Sequence, residues 1–194
     1  MTLPILAYGN ELLRKRCEKI TPQYPGIEKL LADMWETMKN AHGCGLSAPQ
    51  IGLPIRLFIV DSKSTYQNLE ANEKLDYFDR EDRGITEVFI NAHIIERSKE
   101  TWEDVEGCLS IPELSQTVCR PWSITIAYYN QDFEKQFKTF SGATARMIQH
   151  EYDHIDGILF FDHLKPLTKR LIETKLKRIA KGRITPKYPM RFAR

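Results

Sequence analysis

The sequence predicts an α+β domain in which antiparallel strands pack around a helix carrying an HExxH motif, with one helix before the strands and one after them. Three observations predict it. Ile27, Leu30, Leu31, Met34, Trp35 and Met38 recur at helical spacing. Short runs rich in Ile, Val, Thr, Tyr and Phe follow one another between residues 87 and 140. The segment Gln149-His-Glu-Tyr-Asp-His154 sits in a second helical stretch. A length of 194 residues suits one core, so a single domain over residues 1–194 is expected.

The first helix is expected over about 26–40, started by Pro25-Gly26 and stopped by Gly43. Next, in Gly43-Cys-Gly-Leu-Ser-Ala-Pro-Gln50, two glycines one residue apart let the backbone run close to a neighbour. The GxGxxG spacing and the P-loop lysine are missing, so an extended peptide fits better there than a phosphate. Residues 55–60 read as a buried strand, and 61–84 as a polar insertion loop on the surface. Strands follow at about 87–96, 102–106, 116–120, 123–129 and 134–140, with a turn at Asn130-Gln-Asp132. Their connections are too short for parallel crossovers, so the pairing is antiparallel. The motif helix spans 142–155 and ends at Asp156-Gly157. A last helix over about 163–181 would bury Leu164, Leu167, Leu171, Ile172, Leu176 and Ile179, and a basic tail occupies about 182–194.

Composition narrows the class without naming it. Hydrophobic content of 42%, charged content of 28% and a net charge of +2 are ordinary for a soluble globular chain and do not by themselves indicate a nucleic-acid binder. The start lacks a charged segment followed by an apolar one, and no run approaches the ~18 apolar residues of a membrane span, so no membrane partner and a cytoplasmic location are expected. Cys17, Cys44, Cys108 and Cys119 form no CxxC pair, which agrees with a reducing compartment.

HExxH on a helix puts His150 and His154 one turn apart on one face with Glu151 beside them, the outline of a hydrolytic metal site. Two nitrogen ligands leave such a site incomplete, so a third must come from elsewhere. A metzincin protease needs a His three residues past Gly157, where Phe160 stands. Glu173 lies between Ile172 and a Lys/Arg-rich face and reads as a solvated charge. Cys108, at a strand end in Glu106-Gly-Cys-Leu-Ser110, is the best third ligand. Cys17, Cys44 and Cys119 read as small buried hydrophobes. Two other functions stay open on the residues alone: an HExxH metallopeptidase acting on peptide bonds, and a binding module with a closed structural metal, for which no fourth protein ligand stands out.

The three motifs Gly43 to Gln50, Glu106 to Ser110 and Gln149 to His154, in that order and spacing, resemble the peptide deformylase family along nearly the whole chain. The resemblance implies that Cys108, His150 and His154 bind one divalent metal, Fe2+ ahead of Zn2+, Ni2+ or Co2+, and leave a fourth position for water. Glu151 would act as general base and then general acid, while the Gln50 amide and the Leu109 backbone N–H stabilise the oxyanion. The substrate would be an N-formyl-methionyl nascent peptide, with Gly45 alongside its backbone and Cys44, Met147 and Ile148 as walls for the methionine. The basic tail would dock on the ribosome. Three departures from the family pattern stand out: Ser47 where Ala is usual, Cys44 where a branched apolar residue is common, and Ser115 where some members carry an Arg that contacts the peptide.

Overall fold

The structure, a computed structural model, describes residues 1–193. Helix α1 (Ile27–Asn40) forms where the apolar spacing requires it, burying Leu31, Met34 and Met38 while Glu28, Lys29 and Glu36 face outward. Gly26 enters it at φ 68°, in the left-handed region that favours glycine.

Beyond α1 the short strand β2 (Gly45–Ser47) and the strand β3 (Leu57–Asp61) begin a five-stranded antiparallel sheet completed by β4 (Thr86–Arg97), β7 (Ser123–Tyr129) and β8 (Lys135–Ser141). The order is β2-β3-β4-β7-β8, which leaves β2 at one edge. Every residue of β3 is buried, because its alternating side chains enter two different cores. Leu57 and Ile59 pack in the cluster containing Met34 and Met38 of α1. Phe58 and Val60 pack with Ala145, Ile148 and Tyr152 of the motif helix α4 (Gly142–Ile155). The sheet therefore holds α4 rigidly against one face.

Strands β5 (Thr101–Cys108) and β6 (Ile111–Pro121) form a separate ribbon whose register shifts between Gly107 and Cys108. Such a bulge re-aims the side chain that follows it. The ribbon packs through Ile111, Leu114 and Val118 on the turn Phe160–His163 and on α5 (Pro166–Ala180). A two-residue strand, β1 (Ile5–Leu6), pairs in parallel with β9 (Met190–Arg191). The observed fold is the predicted α+β class with antiparallel sheets, and no helix among the described residues is long and apolar enough to cross a membrane.

Several details differ from expectation. The segment 61–84 is not a loop throughout: it holds α2 (Ser62–Asn68) and α3 (Ala71–Tyr77). Asp61 caps α2 by accepting from the Ser64 N–H at 3.0 Å, and Glu70 with Glu73 caps α3, so local polar bonds make these helices without an apolar stripe. The β5–β6 strands run longer than 102–106 and 116–120 because cross-strand pairing carries polar residues along. In α5, Leu167 and Leu171 are 71% and 75% exposed, so the buried row is Ile172, Leu176 and Ile179 only. His163 belongs to the preceding turn rather than to that helix. Cys17 is buried as expected, but Cys44 and Cys119 are exposed, Cys119 because it falls on the outward phase of β6. Glu173 is solvated and pairs with Lys177 at 2.5 Å.

Candidate active site

The segments 42–50 and 104–115, the 61–84 insertion and α4 meet, beside the end of α1, in a cleft of about 950 Å3. The β5–β6 turn brings Cys108, and α4 brings His150 and His154 from one face, one turn apart. Ligand atoms of these three residues all lie within 4.8 Å of one another, and Cys108 Sγ is 3.2 Å from His154 Nε2. One sulfur and two imidazole nitrogens converging in this way suit a four-coordinate divalent metal with one position left open. Burial pushes His154 well below the usual imidazole range, which keeps the ring in the neutral form that ligates.

His150 is oriented from behind. Its Nδ1 is 3.1 Å from Glu106 Oε2, which leaves Nε2 for the cleft. Glu106 is itself buried and receives Arg120 twice, from Nε at 2.6 Å and Nη2 at 2.9 Å, and Arg146 Nη1 at 2.6 Å. Burial alone would raise the Glu106 carboxyl, but His150 and Arg120 outweigh it and hold it far below the usual range. Arg120 continues to Asp153 at 2.8 Å, and Asp153 to His163 at 2.7 Å. Glu106, Arg120, Arg146, Asp153 and His163 were not identified from the sequence. For Glu106, Arg120, Arg146 and Asp153 the signal was a charged residue at a phase of β5, β6 or α4 that should be buried; His163 gave none.

Glu151 points the other way, toward β2. It is 5% exposed, its Oε2 has no partner, and burial pushes it up to about 7. A Cβ on Gly45 would sit 2.5 Å from Glu151 Oε1, and one on Gly43 would sit 2.7 Å from Leu109 Cδ1. Gly45 therefore lets β2 pass against the acid, and Gly43 lets the segment leading into β2 pass the Leu109 side chain. Gln50 lies beside Cys108, its Nε2 3.6 Å from Sγ and 3.3 Å from Ser110 Oγ. Ser47 fixes that orientation: its backbone N–H and its hydroxyl both donate to Gln50 Oε1 at 2.9 Å. The Ser47 departure thus holds Gln50 in place. Cys44 and Met147 line the same cleft, as do Leu109 and residues of the 61–84 insertion, including Leu69 and Tyr77. The Leu109 carbonyl accepts from Tyr188 Oη at 2.8 Å, a contact that sequence patterning gave no means to find.

Fold and site define an α+β protein with a Cys/His/His group able to hold a metal beside a buried carboxylate. The family model described as polypeptide deformylase matches residues 2–170. A peptide deformylase of Christiangramia forsetii is 49% identical over 194 residues, covering 99% of this chain and 96% of the relative. One from Flavobacterium johnsoniae is 47% identical, covering 100% and 97%. The crystal structure of the Thermus thermophilus peptide deformylase superposes with a TM-score of 0.78 at 34% identity, over 94% of this chain and 99% of that one. Arabidopsis thaliana peptide deformylase 1B in complex with an inhibitor gives 0.78 at 29% identity, over 93% and 92%. The chain belongs to the peptide deformylase family.

Proposed function

We propose that this chain, a metal-dependent hydrolase that removes the formyl group from nascent polypeptides, does so with Cys108, His150 and His154 as ligands of one divalent metal and Glu151 as the proton carrier. The convergence of those three side chains beside a buried carboxylate whose Oε2 has no partner carries the reading. The α4 helix bearing HExxH is the element around which the antiparallel strands, α1 and α5 are arranged. A metal held by Cys108, His150 and His154 would supply Lewis acidity to a carbonyl and to water. Glu151 accepts a proton from the attacking water and returns it to the departing amine nitrogen as the formyl C–N bond breaks, releasing formate. A carboxyl whose affinity for protons is raised by burial is matched to both halves of that transfer.

The Gln50 amide, held by Ser47, and the Leu109 N–H donate to the oxygen that becomes negative. Gly45 sits on β2, whose outer edge has no partner strand among the described residues, so the peptide backbone can extend the sheet there. Cys44 and Met147 bound the pocket for the initiator methionine. Fe2+ is the favoured metal, the location is cytoplasmic, residues 1–194 form one domain, and the basic tail is the contact to the ribosome.

The test is anaerobic purification with metal analysis, followed by an assay on a formyl-methionyl tripeptide with casein alongside. Release of formate with casein intact supports the reading. Casein cleavage without formate release would sink it.

A further inference from the structure

Arg146 is a guanidinium buried to 5% exposure one turn before His150, and the proton chemistry above does not use it. Three elements close on it. The flat face lies on the Trp102 ring of β5, with its central carbon 4.3 Å from the ring centroid. Nη2 donates to the Trp102 carbonyl at 2.9 Å, and Nη1 donates to the Val118 carbonyl of β6 at 3.0 Å and to Glu106 Oε1 at 2.6 Å. Trp102 is backed in turn by Trp122 at 5.2 Å and by Tyr77, from the end of α3, at 6.1 Å.

Glu106 divides its two oxygens between different jobs. Oε2 faces His150 Nδ1 and Arg120 Nη2, whereas Oε1 takes Arg146 and Arg120 Nε. Arg120 forks onto both oxygens from Nε and Nη2 while its Nη1 holds Asp153, and Arg146 adds a third donor to the carboxylate, from α4 itself and one turn before His150. A planar fork stacked on an aromatic ring is a stiff anchor that an ammonium cannot reproduce. Burying a second guanidinium so close to the first is costly unless its place is used, and the one carboxylate it grips is the one that aims a proposed metal ligand.

We propose that Arg146 is a positioning residue: its grip on Glu106 Oε1 fixes the carboxylate whose Oε2 orients His150, and so sets how firmly the Cys108, His150 and His154 group retains its metal. Tyr77, on the cleft wall, extends this chain of contacts to the 61–84 insertion, which thereby braces the ligand. The proposal rests on metal ligation by those three residues.

The full chain loaded with Zn2+ and its variants Arg146→Met and Arg146→Lys are challenged with a chelating dye, and zinc transfer is timed below the unfolding temperature. Arg146→Met is expected to release zinc about tenfold faster, the loss typical of removing an outer-shell partner, with kcat lowered and KM within about twofold. Arg146→Lys keeps the charge but not the fork and falls between. Zinc release from Arg146→Met at the unaltered rate overturns the proposal and leaves Arg146 a packing residue. Should Arg146→Met not fold, Arg146→Lys decides on the same criterion: faster release supports, equal release overturns. Failure of the unaltered chain to take up zinc at all would instead defeat the ligand assignment beneath it.

Discussion

Ser47 donates to Gln50 Oε1 twice, from its backbone N–H and from its hydroxyl, both at 2.9 Å. With the amide oxygen tied down, the NH2 group is committed to the cleft beside Cys108. Gln50→Ala is expected to lower kcat by about 10²–10³ with metal content unchanged, as for loss of one oxyanion donor. Ser47→Ala keeps the backbone bond and loses one neutral hydrogen bond of about 1 kcal/mol, so its loss is nearer fivefold. Steady-state kinetics with metal analysis checks both, and a Ser47→Ala variant with unchanged kcat would refute the orienting role of the hydroxyl.

Glu151 links stability to pH in the metal-free chain. Burial raises its folded pKa to about 7, above the unfolded value, so the folded state carries a penalty when the group is charged, above pH 7. That penalty is on the order of 3 kcal/mol, and it fades as pH falls through 7 toward the unfolded value. Metal-free Glu151→Gln is therefore expected to unfold at a higher temperature than the unaltered chain at pH 8.5, with the gap closing by pH 5. Calorimetry at the two pH values decides, and a gap that is unchanged or wider at pH 5 contradicts the assignment. The same variant should be inactive when loaded.

The cysteines should separate by reactivity. Burial pushes the Cys17 thiol up to about 11, so almost no thiolate exists at pH 8, whereas Cys119 is exposed. A thiol reagent should label Cys119 in the native protein and Cys17 only after unfolding. Cys108 should be protected while metal is bound and become labelled once a chelator has removed it. Peptide mass mapping reads all three, and equal Cys108 labelling before and after chelation would exclude it as a ligand.

The basic tail is part of the fold as well as a charged surface. Tyr188 Oη bonds the Leu109 carbonyl at 2.8 Å, and Met190–Arg191 pairs with Ile5–Leu6. Deleting residues 183–194 should thus impair turnover on a free tripeptide, with no ribosome present. A cleaner probe of docking is Lys187→Glu with Arg183→Glu, both exposed, which should weaken ribosome co-sedimentation at low salt while tripeptide kinetics stay within twofold. Unchanged co-sedimentation would remove the tail from the contact.

How legible this was from sequence depended on range. Met34 and Met38 of α1, and the two histidines of α4, obey periods that a linear reading detects, so the elements presenting them were placed well. Glu106 lies 44 residues from the His150 it orients, and no spacing rule joins a strand residue to a helix residue across that interval. Ser47 was noticed as a departure, but its effect needed the turn geometry that aims it at Gln50. The 61–84 segment was misread because its helices are held by Asp61, Glu70 and Glu73 rather than by an apolar stripe.

The parallel pairing of β1 with β9 has a temporal consequence. Vectorial synthesis delivers Ile5 and Leu6 almost first, yet their partners Met190 and Arg191 arrive some 185 residues later, after Tyr188. Until that stretch has cleared the exit tunnel, Leu109 lacks the hydroxyl that braces its carbonyl. A protein whose work is on emerging chains would thus complete its own cleft only once this late segment has emerged.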